Sequence, residues 1–201
     1  MTSPAHPLFL GNHPAIDFLN TYFAPNGVPT ETIPDGRALL DWMISAGLIE
    51  DTAAKNLMRR LGGEAIDSAA AEARKVREWA RRWLERWRFA PEHDYGEEIA
   101  ILNRLLARGA WQREVVVTAG EGFKLAERVG IDSADALLAL IASSIADLIT
   151  QERASLVKQC AGAGCTLWFL DRTKAHKRSF CSAAVCGNRA KVAAFRERQR
   201  A

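Results

Sequence analysis

The chain is predicted to be mainly α, with a helical N-terminal domain carrying a small β-hairpin (residues 1–155) and a compact cysteine-centred unit after it (156–201). Three observations predict this. Apolar residues return at steps of three and four through most of the first 150 positions, one β-branched run before a glycine-rich turn breaks that period, and all four cysteines fall after residue 159.

The elements can be read in order. Asn12-His13-Pro14 offers a cap-type residue and a first-turn proline, opening a helix that places Ile16, Leu19 and Phe23 on one face. Asp35 caps a second helix with Leu39, Leu40, Met43 and Ile44 on its apolar side and Gly47 as its stop. A third runs from Thr52 to Leu61 and ends at Gly62-Gly63. The longest periodic stretch spans Ile66 to Phe89, with Ala73, Val76, Ala80, Trp83, Leu84 and Trp87 inward and arginines on the other face. Trp79, Trp83 and Trp87 sit four residues apart and are read as core. After Pro91, a helix over Gly96 to Arg108 turns Ile99, Leu102, Leu105 and Leu106 inward. Val115-Val116-Val117 before Ala119-Gly120-Glu121-Gly122 predicts a hairpin that resumes at Phe123-Lys124-Leu125. Asp132 or Ser133 caps the next helix, with Leu138, Ile141, Ile145 and Leu148 on one side. The join from Gln151 to Gln159 reads as continued helix rather than a floppy tether.

Composition sets the frame for the last unit. The 201 residues are 48% apolar and 25% charged, as in an ordinary globular protein. No stretch approaches the roughly 20 apolar residues of a membrane span, and Met1 to Gly11 lacks the charged and apolar regions of a secretion signal. The expectation is a cytoplasmic protein without a membrane partner, in a compartment where clustered cysteines hold metal rather than form disulfides. The net charge of +3 conceals an asymmetry: residues 158–201 carry +8, and residues 1–157 carry −5. An acidic body with a basic, anion-seeking tail follows.

All four cysteines lie in that tail, spaced C-x4-C-x15-C-x4-C. Each pair is close enough for one turn to aim two sulfurs at a point, and the gap allows a strand and its return. Four thiolates satisfy one tetrahedral Zn2+, so Cys160, Cys165, Cys181 and Cys186 are predicted to hold a single structural zinc ion. His176 is an alternative ligand, but a complete four-cysteine set leaves it on the surface and leaves no open position for catalysis. Ala161-Gly162-Ala163-Gly164 suits a knuckle, Thr166 to Leu170 a strand that buries Trp168 or Phe169 beside the metal, and Ser182 the start of a helix reaching Arg198. The predicted arrangement is a treble-clef-like zinc finger.

Cations crowd this framework: Arg172, Lys174, Lys177 and Arg178 in the loop, then Arg189, Lys191, Arg196, Arg198 and Arg200 on the final helix. Such residues release counterions from phosphates, which makes them, with Asn188, candidate contacts to DNA, RNA remaining open. The alternative is a zinc-stabilised module for an acidic protein partner. Gly187 inside a helix costs about 1 kcal/mol against alanine and asks for a reason such as close backbone approach; Arg189 either reaches nucleic acid or braces the finger on Asp171. The body shows no phosphate-binding loop, nucleophile elbow or metal pair, so no enzyme is expected.

Phe180-Cys181-Ser182 leading to Cys186-Gly187-Asn188-Arg189, with Trp168-Phe169-Leu170-Asp171 and Arg189-Ala190-Lys191, resembles the CGNR zinc-finger family. The stretch from Gly11 to Thr21, and Leu39-Leu40-Asp41-Trp42 with Ala46-Gly47-Leu48, resembles the helical ABATE domain that precedes that finger. The resemblance spans nearly the whole chain. It implies a stress-related transcription regulator, with the finger on DNA and the helical domain sensing a small-molecule effector, for which Asp17, Asn20 and Trp42 are the candidate residues, or forming a homodimer. Ala175-His176, Phe180 and Ala183 depart from the family pattern without touching a zinc ligand.

Overall fold

The computed structural model describes residues 7–24 and 28–199. Arg200, read above as part of the last helix, lies outside them. Among the described residues six α-helices and three two-stranded antiparallel sheets follow in the order α1 (Pro14–Leu19), β1 (Tyr22–Phe23), β2 (Thr30–Glu31), α2 (Gly36–Ser45), α3 (Asp51–Trp87), α4 (Gly96–Leu106), β3 (Ala110–Thr118), β4 (Gly122–Gly130), α5 (Ala134–Gln151), β5 (Val157–Gln159), β6 (Trp168–Leu170) and α6 (Asn188–Arg198).

Local chemistry explains the starts and stops. Asp35 caps α2 by accepting from the Ala38 amide at 2.8 Å, and Ser133 caps α5 from Ala136. His13, one residue later than expected, caps α1 through Nδ1 and the Ala15 amide. α3 is broken at Gly62, whose φ of +77° is open to glycine at little cost. Gly36 also has to be glycine: a Cβ there would lie 2.5 Å from the Ile66 carbonyl carbon, so α2 and α3 cross backbone to backbone.

The body core gathers around α5, which packs on α1, α3 and α4. α5 is 18 residues long and apolar enough to meet the length criterion for a membrane span, which qualifies the expectation that no stretch approaches one; here it serves as the core helix, burying Leu137, Leu138, Ile141, Ile145 and Leu148. Trp83 and Trp87 face inward as expected, with Trp79 packed against them.

Four expectations are corrected. Phe23 leaves the face of α1 and enters β1, because the helix ends at Leu19 and the chain turns to pair with Thr30. A buried arginine fixes that turn: Arg77 on α3 donates to both carboxylate oxygens of Glu31, at 2.8 and 2.6 Å, and to Thr21 Oγ at 2.8 Å. Ile99 is exposed on α4 rather than inward. The join after α5 is not helical: Glu152 turns extended, a single 3-10 turn spans Ala154–Leu156, and β5 begins at once. The β3–β4 hairpin, read from Val115–Val117 and Phe123–Leu125, has nine residues on each strand, since both arms continue through stretches in which polar residues such as Gln112, Arg113, Glu127 and Arg128 interrupt the hydrophobic signal.

Candidate metal centre and nucleic-acid face

β5 and β6 pair with Val157 opposite Leu170 and Gln159 opposite Trp168, and the Cys160–Cys165 knuckle joins them. Strand alternation then divides the aromatic pair. Trp168 and Leu170 enter the core of the body, while Phe169 turns the other way, among Phe23, Leu167 and the cysteines. Phe169 is therefore the residue beside the metal site.

The four sulfurs lie within 4.8 Å of one another, with Cys165 to Cys181 at 3.8 Å and Cys181 to Cys186 at 3.6 Å. Four sulfurs about 2.3 Å from one zinc stand roughly 3.8 Å apart, so the cage fits the ion. Gly162 makes the knuckle possible: a Cβ there would come within 3.1 Å of Cys186 Sγ, and its amide instead reaches Cys160 Sγ at 3.4 Å. At Gly187 a Cβ would meet nothing closer than 3.7 Å, so the close approach expected there belongs to Gly162.

Electrostatics argue for a dication. Burial pushes the Cys165 thiol up to about 11 and the Cys181 thiol higher still. Burial also opposes ionisation of Cys160, but the amides of Cys181 and Gly162 outweigh it and carry that thiol below the ordinary range. Four sulfurs held this close call for a metal charge to keep them together as thiolates. Zn2+ held by four cysteines has no open position and acts as a cross-link.

Asp171 organises the loop beyond β6. Fully buried, it accepts from Lys158 Nζ at 2.7 Å, from the Arg178 amide at 2.9 Å, and from the Thr173 amide and hydroxyl at 3.1 and 2.6 Å. The cation on Asp171 is thus Lys158, a residue that sequence reading passed over; its one signal was alternation, two positions before Cys160. Burial acts to raise the Asp171 carboxyl, but Lys158 and Thr173 prevail and hold it well below the carboxylate range. His176, away from the sulfurs, closes the loop through Asp171 O.

The candidate nucleic-acid residues divide into two groups. Arg178 is turned into the fold, its guanidinium on the carbonyls of Phe180 and Cys181 and 4.2 Å from the Phe169 ring centroid. Arg172 pairs with Glu152 at 2.7 Å while remaining exposed. Lys174, Lys177, Asn188, Arg189, Lys191 and Arg196 are exposed. A π-turn over Ala183–Gly187, capped by Ser182 and containing Cys186, leads directly into α6, which buries no residue at all.

The candidate effector residues have structural employment. Asn20 Nδ2 donates to Trp168 O and its Oδ1 accepts from Trp168 N, both at 2.9 Å, copying a neighbouring strand. Gly11 O accepts from Leu170 N at 2.7 Å, and Asn12 Nδ2 donates to Leu170 O. The Gly11–Asn20 stretch is the outer edge of the finger's sheet. Trp42 is core, packed on Phe18. One open space at the junction is an apolar cleft of about 180 Å3 between Leu8, Leu10 and Phe23 on one side and Leu167, Val185 and Arg189 on the other.

Asp17 accepts from the Gly11 amide at 2.7 Å, and burial holds its carboxyl up at about 6 against the pull of that amide. Because the folded value exceeds the unfolded one, near 3.9, Asp17's favourable contribution is complete below about pH 4 and is lost as pH rises through about 6. Asp17→Asn keeps the acceptor without the charge. Its melting temperature should gain on the wild type between pH 4 and 7, by the equivalent of about 2 kcal/mol; a pH-independent gap would refute the assignment.

Fold and site together define a helical body fused to a four-cysteine zinc finger. Residues 157–199 match the CGNR zinc-finger profile. Residues 12–152 match ABATE, described as "putative stress-induced transcription regulator", and the chain belongs to this family. No curated protein matches at a significant level.

Proposed function

We propose that the chain is a transcription regulator that binds duplex DNA through its finger, which we read as treble-clef-like. The observation that carries this is α6, a helix with no buried residue, rooted at Cys186 and bearing Arg189, Lys191, Arg196 and Arg198 against the lone acid Glu197. An exposed basic helix fixed to a rigid metal centre is suited to lie against phosphates or in a groove. Lys174 and Lys177 extend the positive surface.

The test avoids Arg178, whose loss would damage the knuckle. Lys191→Glu with Arg196→Glu alters only exposed positions. Titrated into random duplex DNA at several salt concentrations, this variant should bind at least about 10-fold more weakly than the zinc-loaded wild type. Its salt dependence should flatten by about two phosphate contacts. Identical binding curves would count against the reading. If even the wild type ignores DNA and RNA at low salt, the finger is instead a module for an acidic protein partner.

A further inference from the structure

We propose that the chain forms a two-fold dimer in which the outer half of the β3–β4 hairpin packs against the same hairpin of a second copy. The register sets Val115 opposite Leu125 and Val117 opposite Phe123. Alternate residues share a face, so these four stand on one side with Trp111, Arg113, Glu127 and Val129. At the base that face belongs to the body: Val129 is buried, and Trp111 Nε1 donates to Leu106 O at 2.7 Å. Beyond the Arg113–Glu127 ion pair at 3.5 Å the same face runs on without cover. Val115 is 69% exposed, Leu125 56%, Val117 77% and Phe123 82%. The opposite face carries Gln112, Glu114, Lys124 and Arg128, with Arg128 paired to Glu114, alongside the partly buried Val116 and Ala126. The hairpin is thus amphipathic, and over the outer two rungs its apolar side is strongly exposed among the described residues.

A two-stranded hairpin is marginal in water where nothing packs on it, so its outer rungs with their bare apolar face gain stability from a partner. Charge points to a second copy. Residues 110–130 contain three cations and three acids, which gives no net attraction to nucleic acid or to a strongly acidic or basic protein, and no net repulsion from another hairpin of the same kind. Area agrees. The quartet exposes on the order of 400–500 Å2 per copy, so two facing quartets remove roughly 1,000 Å2, the threshold of a specific interface.

The test is the mass of the full-length, zinc-loaded protein in solution by light scattering and sedimentation. The wild type should be a dimer at tens of micromolar, and Val117→Glu with Phe123→Glu should weaken the dimer by about 100-fold or more. Both positions are already exposed, so the melting temperature of the monomer should hold, which separates lost association from misfolding. Phe123→Leu and Lys124→Ala, the first keeping the apolar face and the second on the polar face, should leave the dimer intact. A monomeric wild type up to about 200 μM, or a dimer that persists in the double variant, would overturn the proposal. None of these outcomes depends on DNA, so the dimer and the DNA reading stand or fall separately.

Discussion

Chelating the zinc should lower the melting temperature of the entire protein, helices included. In an independent finger, metal loss would leave the body untouched. Here Trp168 and Leu170 of β6 sit in the same core as α1, α3 and α5, and β6 is held at its outer edge by Gly11, Asn12 and Asn20. Structural zinc supplies roughly 10–16 kcal/mol of apparent binding free energy in finger peptides. If only about 5 kcal/mol reaches the shared core, a chain of this length loses some 10–20 °C. Helical signal in circular dichroism, followed on heating before and after chelation, reads this out, and Cys181→Ser should reproduce the chelated curve. A helical transition indifferent to chelator would show that the two halves are not thermodynamically one.

Asp171→Ala is expected to be the most damaging substitution outside the cysteines. It removes the counter-charge of Lys158 Nζ, which keeps only carbonyl partners, and frees the amides of Thr173 and Arg178 inside the loop that carries Cys181. Breaking a buried pair in this way costs about 3 kcal/mol or more, and the loop's disorder should also weaken zinc retention against a competing chelator. Asp171→Asn keeps the shape and loses the charge, so it should fall between wild type and alanine. The pH dependence has a definite sign. With the folded carboxyl held below its unfolded value, Asp171 stabilises fully above about pH 4 and loses that contribution as pH falls toward its folded value. The gap between wild type and Asp171→Asn should therefore narrow on acidification below pH 4. A gap that widened there would show that the charge does not stabilise the loop.

Much of this was legible because its physics is local. Zinc needs four sulfurs, and the cysteine spacing alone declared the cage. Helix caps at Asp35 and Ser133, the break at Gly62 and the apolar face of α5 all depend on neighbours within a turn or two. The hairpin's existence was visible in Val115-Val116-Val117, though its length was hidden by arms with polar residues at alternate positions. Readings failed where a distant partner decided the outcome. Phe23 continued the period of α1, yet pairing with Thr30, pinned by Arg77 more than forty residues away, took it into a strand. Arg178 looked like one more surface cation until the carbonyls of Phe180 and Cys181 and the ring of Phe169 claimed it.

Asn20 shows the boundary between the two kinds of information. As a polar residue on an apolar helix it reads as a site for something, and what that something is lies 148 residues away, in the backbone of Trp168. By itself, the sequence determined the helical class, the four zinc ligands and the concentration of positive charge around them, because spacing, periodicity and charge are properties of the chain. Only the tertiary structure decided that β6 belongs to both halves, that Lys158 is the cation on Asp171's carboxylate, and that α6 and the tip of the hairpin are exposed among the described residues. Those outcomes depend on which unsatisfied backbone groups and apolar faces meet across long separations, and no local pattern records that.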